Sequence, residues 1–106
     1  FQGIQFMVAD LAADLALVES WLWQIGERVE AGETDFGIEA SILKLRASDL
    51  AMRASTDAVQ LLGGYGYCKD YRVERLMRDA KITQIWEGTN QVHRQLIGRS
   101  FLTKQP

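Results

Sequence analysis

An all-α, antiparallel helical bundle is what this sequence predicts, on three observations. Proline is absent from the interior, the one proline being Pro106 at the very end. Apolar residues recur at steps of three and four over long stretches, as one face of a helix requires. No segment reads convincingly as a strand, and helices with apolar seams must bury them against each other.

The elements follow in order. Ile4, Val8, Leu11, Leu15, Val18, Leu22, Ile25 and Val29 form a first seam suited to a near-parallel or antiparallel neighbour. Ala9, Ala12, Ala13 and Ala16 add a small-residue side where another helix can come close. Gly32 predicts the stop, and Asp35 is the expected cap of the next helix. The second helix reads from about Phe36 to Leu62, with Leu43, Ala47, Leu50, Ala54, Ala58 and Leu61 as its seam. Arg46, Asp49, Arg53 and Asp57 share another face and read as a solvated ladder of ion pairs, each worth a few tenths of a kcal/mol. Ile42, Leu45, Met52 and Val59 broaden the apolar surface, which suggests contact with further chain or other subunits. A shorter helix spans about Arg72 to Ile82, with Val73, Leu76, Met77 and Ala80 inward. A turn holds IWEG. Thr89 or Asn90 then caps a last helix to about Leu102, with Val92, Leu96 and Ile97 expected to be buried.

Composition narrows the function classes. The 106 residues suffice for one small domain, and 47% hydrophobic content allows a packed core. A net charge of -2 gives no reason to expect nucleic acid as a partner. The single cysteine, Cys68, rules out an internal disulfide framework and fits a reducing compartment. It has no paired base and reads as a loop packing residue. His93 is the one histidine, with no second ligand at metal-binding spacing, and reads as a helix-surface or interface residue. Arg94 and Arg99 read as interface or helix C-terminal contacts, and Trp21 and Trp23 as core or interface anchors. No apolar run approaches the ~18 residues of a membrane span. The start shows no signal-peptide pattern and no initiator Met, so the chain is expected to be a piece of a longer one.

Two stretches are candidates for chemistry. In QLLGGYGYCKD, Gly63 either ends a helix while Gly64 and Gly66 permit a turn, or the bare N–H groups let a phosphate approach closely. The stretch follows a helix and lacks GxGxxG spacing, so it is no dinucleotide fingerprint, and without GK[ST] it is no Walker loop. In IWEGTN, Glu87 is either an exposed turn carboxylate or one held in apolar surroundings to handle a proton. In the second reading Ile85 and Trp86 desolvate Glu87 and push its pKa upward.

Gln60, Gly63, Gly64, Gly66, Tyr67, Asp70, Arg75 and Asp79, in that spacing, resemble the C-terminal signature of the acyl-CoA dehydrogenase family. The resemblance runs on through LMRDAKITQIWEGTNQVHRQLIGRSFL and back to FQGIQFMVADLAADL, covering essentially the whole chain. It implies the later part of the C-terminal helical domain of an enzyme that also has an N-terminal helical and a middle β domain. It implies FAD as cofactor, an acyl-CoA thioester as substrate, and oxidation of the Cα–Cβ bond to a trans double bond. Glu87 matches the base that takes the α-proton, and its backbone N–H matches the donor to the thioester carbonyl. Trp86, Glu87 and Gly88 match substrate-binding positions, with Gly88 leaving room for the acyl chain. Thr89 and Gln91 match FAD contacts. Gln60, Leu61, Leu62, Gly63 and Gly64 match a stretch that reaches the FAD of a neighbouring subunit, and Gln2 matches another such contact. The resemblance thus implies a homodimer or dimer of dimers with a shared FAD site, and electron-transferring flavoprotein as electron acceptor. It implies a cytoplasmic place in a bacterium or the mitochondrial matrix in a eukaryote. A non-catalytic oligomerisation module of the same fold and an acyl-CoA oxidase are the rivals. Packing alone would not need Glu87 together with Gln60, Gly63, Gly64 and Thr89. Neither chain length nor oxygen access is encoded legibly.

Overall fold

The computed structural model describes residues 1–103, and Pro106 lies outside them. Four helices form in the expected places: α1 Gln2–Glu30, α2 Gly37–Leu62, α3 Val73–Thr83 and α4 Asn90–Leu102. A single-turn 3-10 segment, Gly63–Tyr67, follows α2 directly.

The α1–α2 hairpin turns on Gly32, whose φ of 82° suits glycine. The Gly32 N–H donates to the Val29 carbonyl and the Glu33 N–H to the Arg28 carbonyl, both at 3.0 Å. That pair of bonds is the Schellman arrangement, which satisfies carbonyls left open at the helix end. Arg28 then ties the loop together: it donates to the Asp35 carbonyl at 2.8 Å. Its guanidinium also lies 3.4 Å from Glu33 and 3.4 Å from Glu39. Asp35 is not the cap expected of it. Phe36 holds the N-cap position without a side-chain bond, and the Asp35 carbonyl accepts from Arg28 instead.

α1 runs antiparallel to α2. Trp21 Nε1 donates to the Glu39 carbonyl at 2.9 Å near the loop. Further along, Arg53 pairs with Asp14. The i+4 ladder expected on α2 is therefore not one. Arg53 reaches across to α1, and Asp49 reaches to α3 and α4.

α2 is the hub of the molecule. Among the described residues, α1 contacts only α2, whereas α3, α4 and the 3-10 turn pack on it from elsewhere. Among the described residues, the buried apolar side chains are accordingly few: Ile25, Leu45 and Ala80. Val73 and Met77 are half-buried on α3, but Leu76 is 51% exposed. Val92 and Leu96 of α4 are also exposed, with Ile97 half-buried. Their apolar spacing is helical as read, but the described residues supply no second layer to cover it. Trp23 is 72% exposed and is no core anchor among the described residues, whereas Trp21 is half-buried.

The chain doubles back at the 3-10 turn because Gly66 lies against α2. A Cβ at Gly66 would stand 2.5 Å from the Val59 carbonyl oxygen and 2.9 Å from the Val59 Cα. Only a residue without a Cβ allows that approach, and it sets the direction in which α3 returns along α2. Gly66→Ala is expected to cost about 1–3 kcal/mol, as overpacking does. Gly98 has open space around it in α4, so Gly98→Ala should cost nothing. Chemical denaturation of the two variants checks this; equal midpoints would contradict the close-approach account.

Candidate functional site

α3 ends in a tight turn that carries Glu87. The Ile85 N–H (2.9 Å) and the Trp86 N–H (3.0 Å) both donate to the Ile82 carbonyl. The Asn90 N–H donates to the Gln84 carbonyl at 3.0 Å and closes the loop. Between these points two successive residues are left-handed: Glu87 at φ 53° and Gly88 at φ 83°. Glycine adopts this region freely. For glutamate it costs roughly 1–2 kcal/mol, and Glu87 is the one non-glycine residue with positive φ among those described. Thr89 then returns to extended backbone and caps α4, its Oγ1 accepting from the Val92 N–H at 3.2 Å.

Three bonds hold the strained pair. Lys44 Nζ on α2 donates to the Gly88 carbonyl at 2.8 Å. His93 Nε2 lies 3.0 Å from the Glu87 carbonyl, which can only accept, so Nε2 carries the proton. The third is the loop-closing bond from Asn90.

Beneath the turn lies a polar cluster centred on Asn90, whose relative exposure is 3%. Asn90 Oδ1 accepts from Lys44 Nζ at 2.6 Å. Asn90 Nδ2 donates to Asp49 Oδ1 at 2.7 Å and to Ser48 Oγ at 2.9 Å. Asp49 Oδ1 also accepts from Gln84 Nε2 at 3.0 Å, and Asp49 Oδ2 pairs with Arg94 at 3.0 Å. One α2 carboxylate thus collects the end of α3, the turn and the start of α4. Burial tends to raise the Asp49 carboxyl, but the hydrogen bonds from Gln84 and Asn90 and the Arg94 charge outweigh it and hold it below its ordinary value. Burial lowers the Lys44 ammonium below its ordinary value, with the Asp49 charge opposing. Within this chain Arg94 is not the helix C-terminal contact it was read as: it sits near the start of α4, where Asp49 pairs with it.

Glu87 itself is exposed. Ile85 and Trp86 are exposed beside it, so they do not enclose the carboxylate as expected. The left-handed backbone turns this segment out of the apolar packing. Among the described residues, nothing accepts from the Glu87 N–H, which leaves side chain and amide of one residue both open to a ligand.

The residues singled out from sequence fall into two groups. Trp86, Glu87, Gly88, Thr89 and Gln91 stand together at the turn and the start of α4. Gln60, Leu61, Leu62, Gly63 and Gly64 lie exposed at the far end of α2. From Asp49 to Leu62 is roughly 20 Å at 1.5 Å per helical residue, so the groups are well apart. Gln2 begins α1, at the same end of the antiparallel hairpin as the second group. Sequence reasoning missed Lys44, Ser48 and the Asn90 side chain. A signal for them existed: Ser48 and Asp49 are poor helix formers in the middle of a long helix, and Thr89–Asn90 offers two caps where one suffices.

Comparison with known proteins points one way. The family model described as acyl-CoA dehydrogenase, C-terminal domain, matches residues 1–102. A Mycobacterium leprae protein named as a probable acyl-CoA dehydrogenase is 51% identical over 102 residues, which is 96% of this chain and 26% of that protein. Cyclohex-1-ene-1-carbonyl-CoA dehydrogenase of Geobacter metallireducens is 48% identical over 99 residues, 93% of this chain and 26% of that protein. The structure of butyryl-CoA dehydrogenase from Megasphaera elsdenii superposes with a TM-score of 0.90 at 44% identity, covering 96% of this chain and 26% of that one. The chain therefore spans about a quarter of the length of these relatives.

The Asp49 cluster predicts a pH signature. A carboxyl held low in the folded state adds stability above its unfolded value, lost as pH falls through the lowered folded value. Asp49→Asn should therefore be markedly less stable than wild type near neutral pH, with the gap narrowing below about pH 4. Denaturation midpoints across pH check this; a gap independent of pH would contradict it.

Proposed function

The chain belongs to the acyl-CoA dehydrogenase family, and from that premise we propose that it is the C-terminal part of an FAD-dependent enzyme in which Glu87 removes the α-proton of an acyl-CoA thioester. The observation that carries this is the conformation of Glu87. A non-glycine residue held left-handed by bonds from α2 and α4 is strain kept in place by its surroundings, and such strain clusters at functional sites. Held this way, Glu87 offers two groups of opposite polarity to one ligand. The carboxylate takes the α-proton. The free N–H donates to the thioester carbonyl oxygen, where negative charge develops as that proton leaves. Gly88 supplies a stretch of backbone without a side chain beside them, and Trp86 offers an exposed apolar wall.

The residues present fit an FAD site shared between subunits. Gly63 and Gly64 have nothing within 4 Å of where a Cβ would stand, so backbone at the end of α2 is open to close approach. Thr89 and Gln91 lie beside Glu87, while Gln2 and the stretch from Gln60 to Gly64 lie too far off to touch the same part of one bound group. Two subunits, each presenting one group to the other's site, reconcile these positions, and the exposed apolar faces of α1 and α4 suit a dimer or dimer of dimers. When bound, FAD supplies the acceptor for the β-hydrogen and its electron pair, so that loss of a proton at Cα leaves a carbon–carbon double bond. Electron-transferring flavoprotein is the proposed electron acceptor of the whole protein. The environment that desolvates Glu87 must come from substrate and from parts of the protein beyond this chain, since Ile85 and Trp86 do not supply it.

In the full-length protein, Glu87→Gln keeps the shape and removes the base. It should retain bound FAD and acyl-CoA and lose about 10²–10⁴-fold in kcat. Bound-flavin absorbance and steady-state turnover with a series of saturated acyl-CoA thioesters check this. Turnover close to wild type would remove Glu87 from the role of base.

A further inference from the structure

His93 has so far been only one of the bonds beside the turn, and its setting is unusual. Its Nε2 lies 3.0 Å from the carbonyl of Glu87, the strained residue itself. Its Nδ1 is buried and meets no hydrogen-bond partner among the described residues. The ring thus has one polar contact, and that contact is to the backbone of Glu87. A histidine used only to fill space or hold α4 would more simply satisfy both nitrogens or leave them in water.

Gly88 completes the arrangement. A Cβ there would stand 3.1 Å from His93 Nε2, close enough that the ring would have to give by a few tenths of an ångström. Gly88 is therefore constrained twice, by its own φ of 83° and by the imidazole packed against it. One turn of α4 separates His93 from the Thr89 cap, whose carbonyl accepts the His93 N–H at 3.1 Å. The ring is consequently aimed by the same helix start that ends the turn.

We propose that His93 is a positioning residue for Glu87: its Nε2–H fixes the Glu87 carbonyl, holds the left-handed backbone and so sets where carboxylate and N–H point. It acts from α4 on one carbonyl of the strained pair as Lys44 acts from α2 on the other. Without the His93 bond the Glu87 peptide relaxes toward ordinary backbone angles, and both groups move together. The substrate still binds, but the reacting atoms no longer meet in line. A misplacement of about 1 Å costs on the order of 100-fold in rate.

The inference rests on Glu87 being the base, and the test separates the two. In the full-length protein, His93→Leu removes the donor, and His93→Gln restores an N–H at similar reach. Both are assayed for bound flavin, and for kcat and KM with the saturated acyl-CoA that wild type turns over fastest. The expected result is a 10- to 100-fold lower kcat for His93→Leu, with flavin content and KM near wild type, and substantial recovery in His93→Gln. The proposal is overturned if His93→Leu keeps wild-type kcat. It is equally overturned if His93→Gln fails to recover, or if flavin content falls and KM rises along with the loss of kcat, since a merely structural role gives those patterns. Full turnover by Glu87→Gln would instead defeat the base assignment, whatever the His93 variants do.

Discussion

The Asp49–Asn90 contact is the interaction on which the rest of the structure depends. Asp49 stands midway along α2, and Asn90 begins α4. Their bond brings Lys44, Ser48, Gln84 and Arg94 into one polar cluster. A largely satisfied network around a buried Asn90 favours one arrangement, because an alternative would leave that buried side chain without partners. The apolar core could not do this alone. Among the described residues, only Ile25, Leu45 and Ala80 are buried apolar side chains, and none of them fixes the turn. Polar bonds are directional in a way that apolar contacts are not, and a turn that must present one carboxylate needs direction.

The strained turn is the consequence of that anchoring. Lys44, His93 and the Asn90 N–H each satisfy one carbonyl in the segment from Gln84 to Gly88. Each such bond is worth about 0.5–1.5 kcal/mol net, more for a charged donor, so together they outweigh the roughly 1–2 kcal/mol cost of a left-handed glutamate. Once the carbonyls are committed, the Glu87 N–H is left over. A free amide and a carboxylate on the same residue follow from how the turn is tied down.

Much of this was legible in the sequence, and the limits have physical causes. Helix places and ends were readable because apolar periodicity, Gly32 and Thr89 act locally. Burial was not, since Leu76, Val92 and Leu96 keep a helical apolar spacing whether or not anything covers them. Asp49 and Arg53 were misread as an α2 ladder because spacing displays neighbours within a helix and hides partners from distant segments. Asp35 resembled a cap but lends its carbonyl to Arg28. Glu87 was singled out as an anomaly, yet the bonds beside its positive φ come from Lys44 and His93, which no local pattern connects to it.

In the proposed mechanism the backbone of Glu87 is fixed so that carboxylate and amide address one substrate. The most direct measurement is a crystal structure of the full-length protein with FAD and a non-reacting acyl-CoA analogue. The account predicts Glu87 still left-handed, a carboxylate oxygen about 3–3.5 Å from the analogue's α-carbon and the Glu87 N–H donor about 2.7–3.1 Å from its carbonyl oxygen. A Glu87 relaxed to ordinary helical or extended backbone, or a carboxylate turned away from the α-carbon, would contradict it.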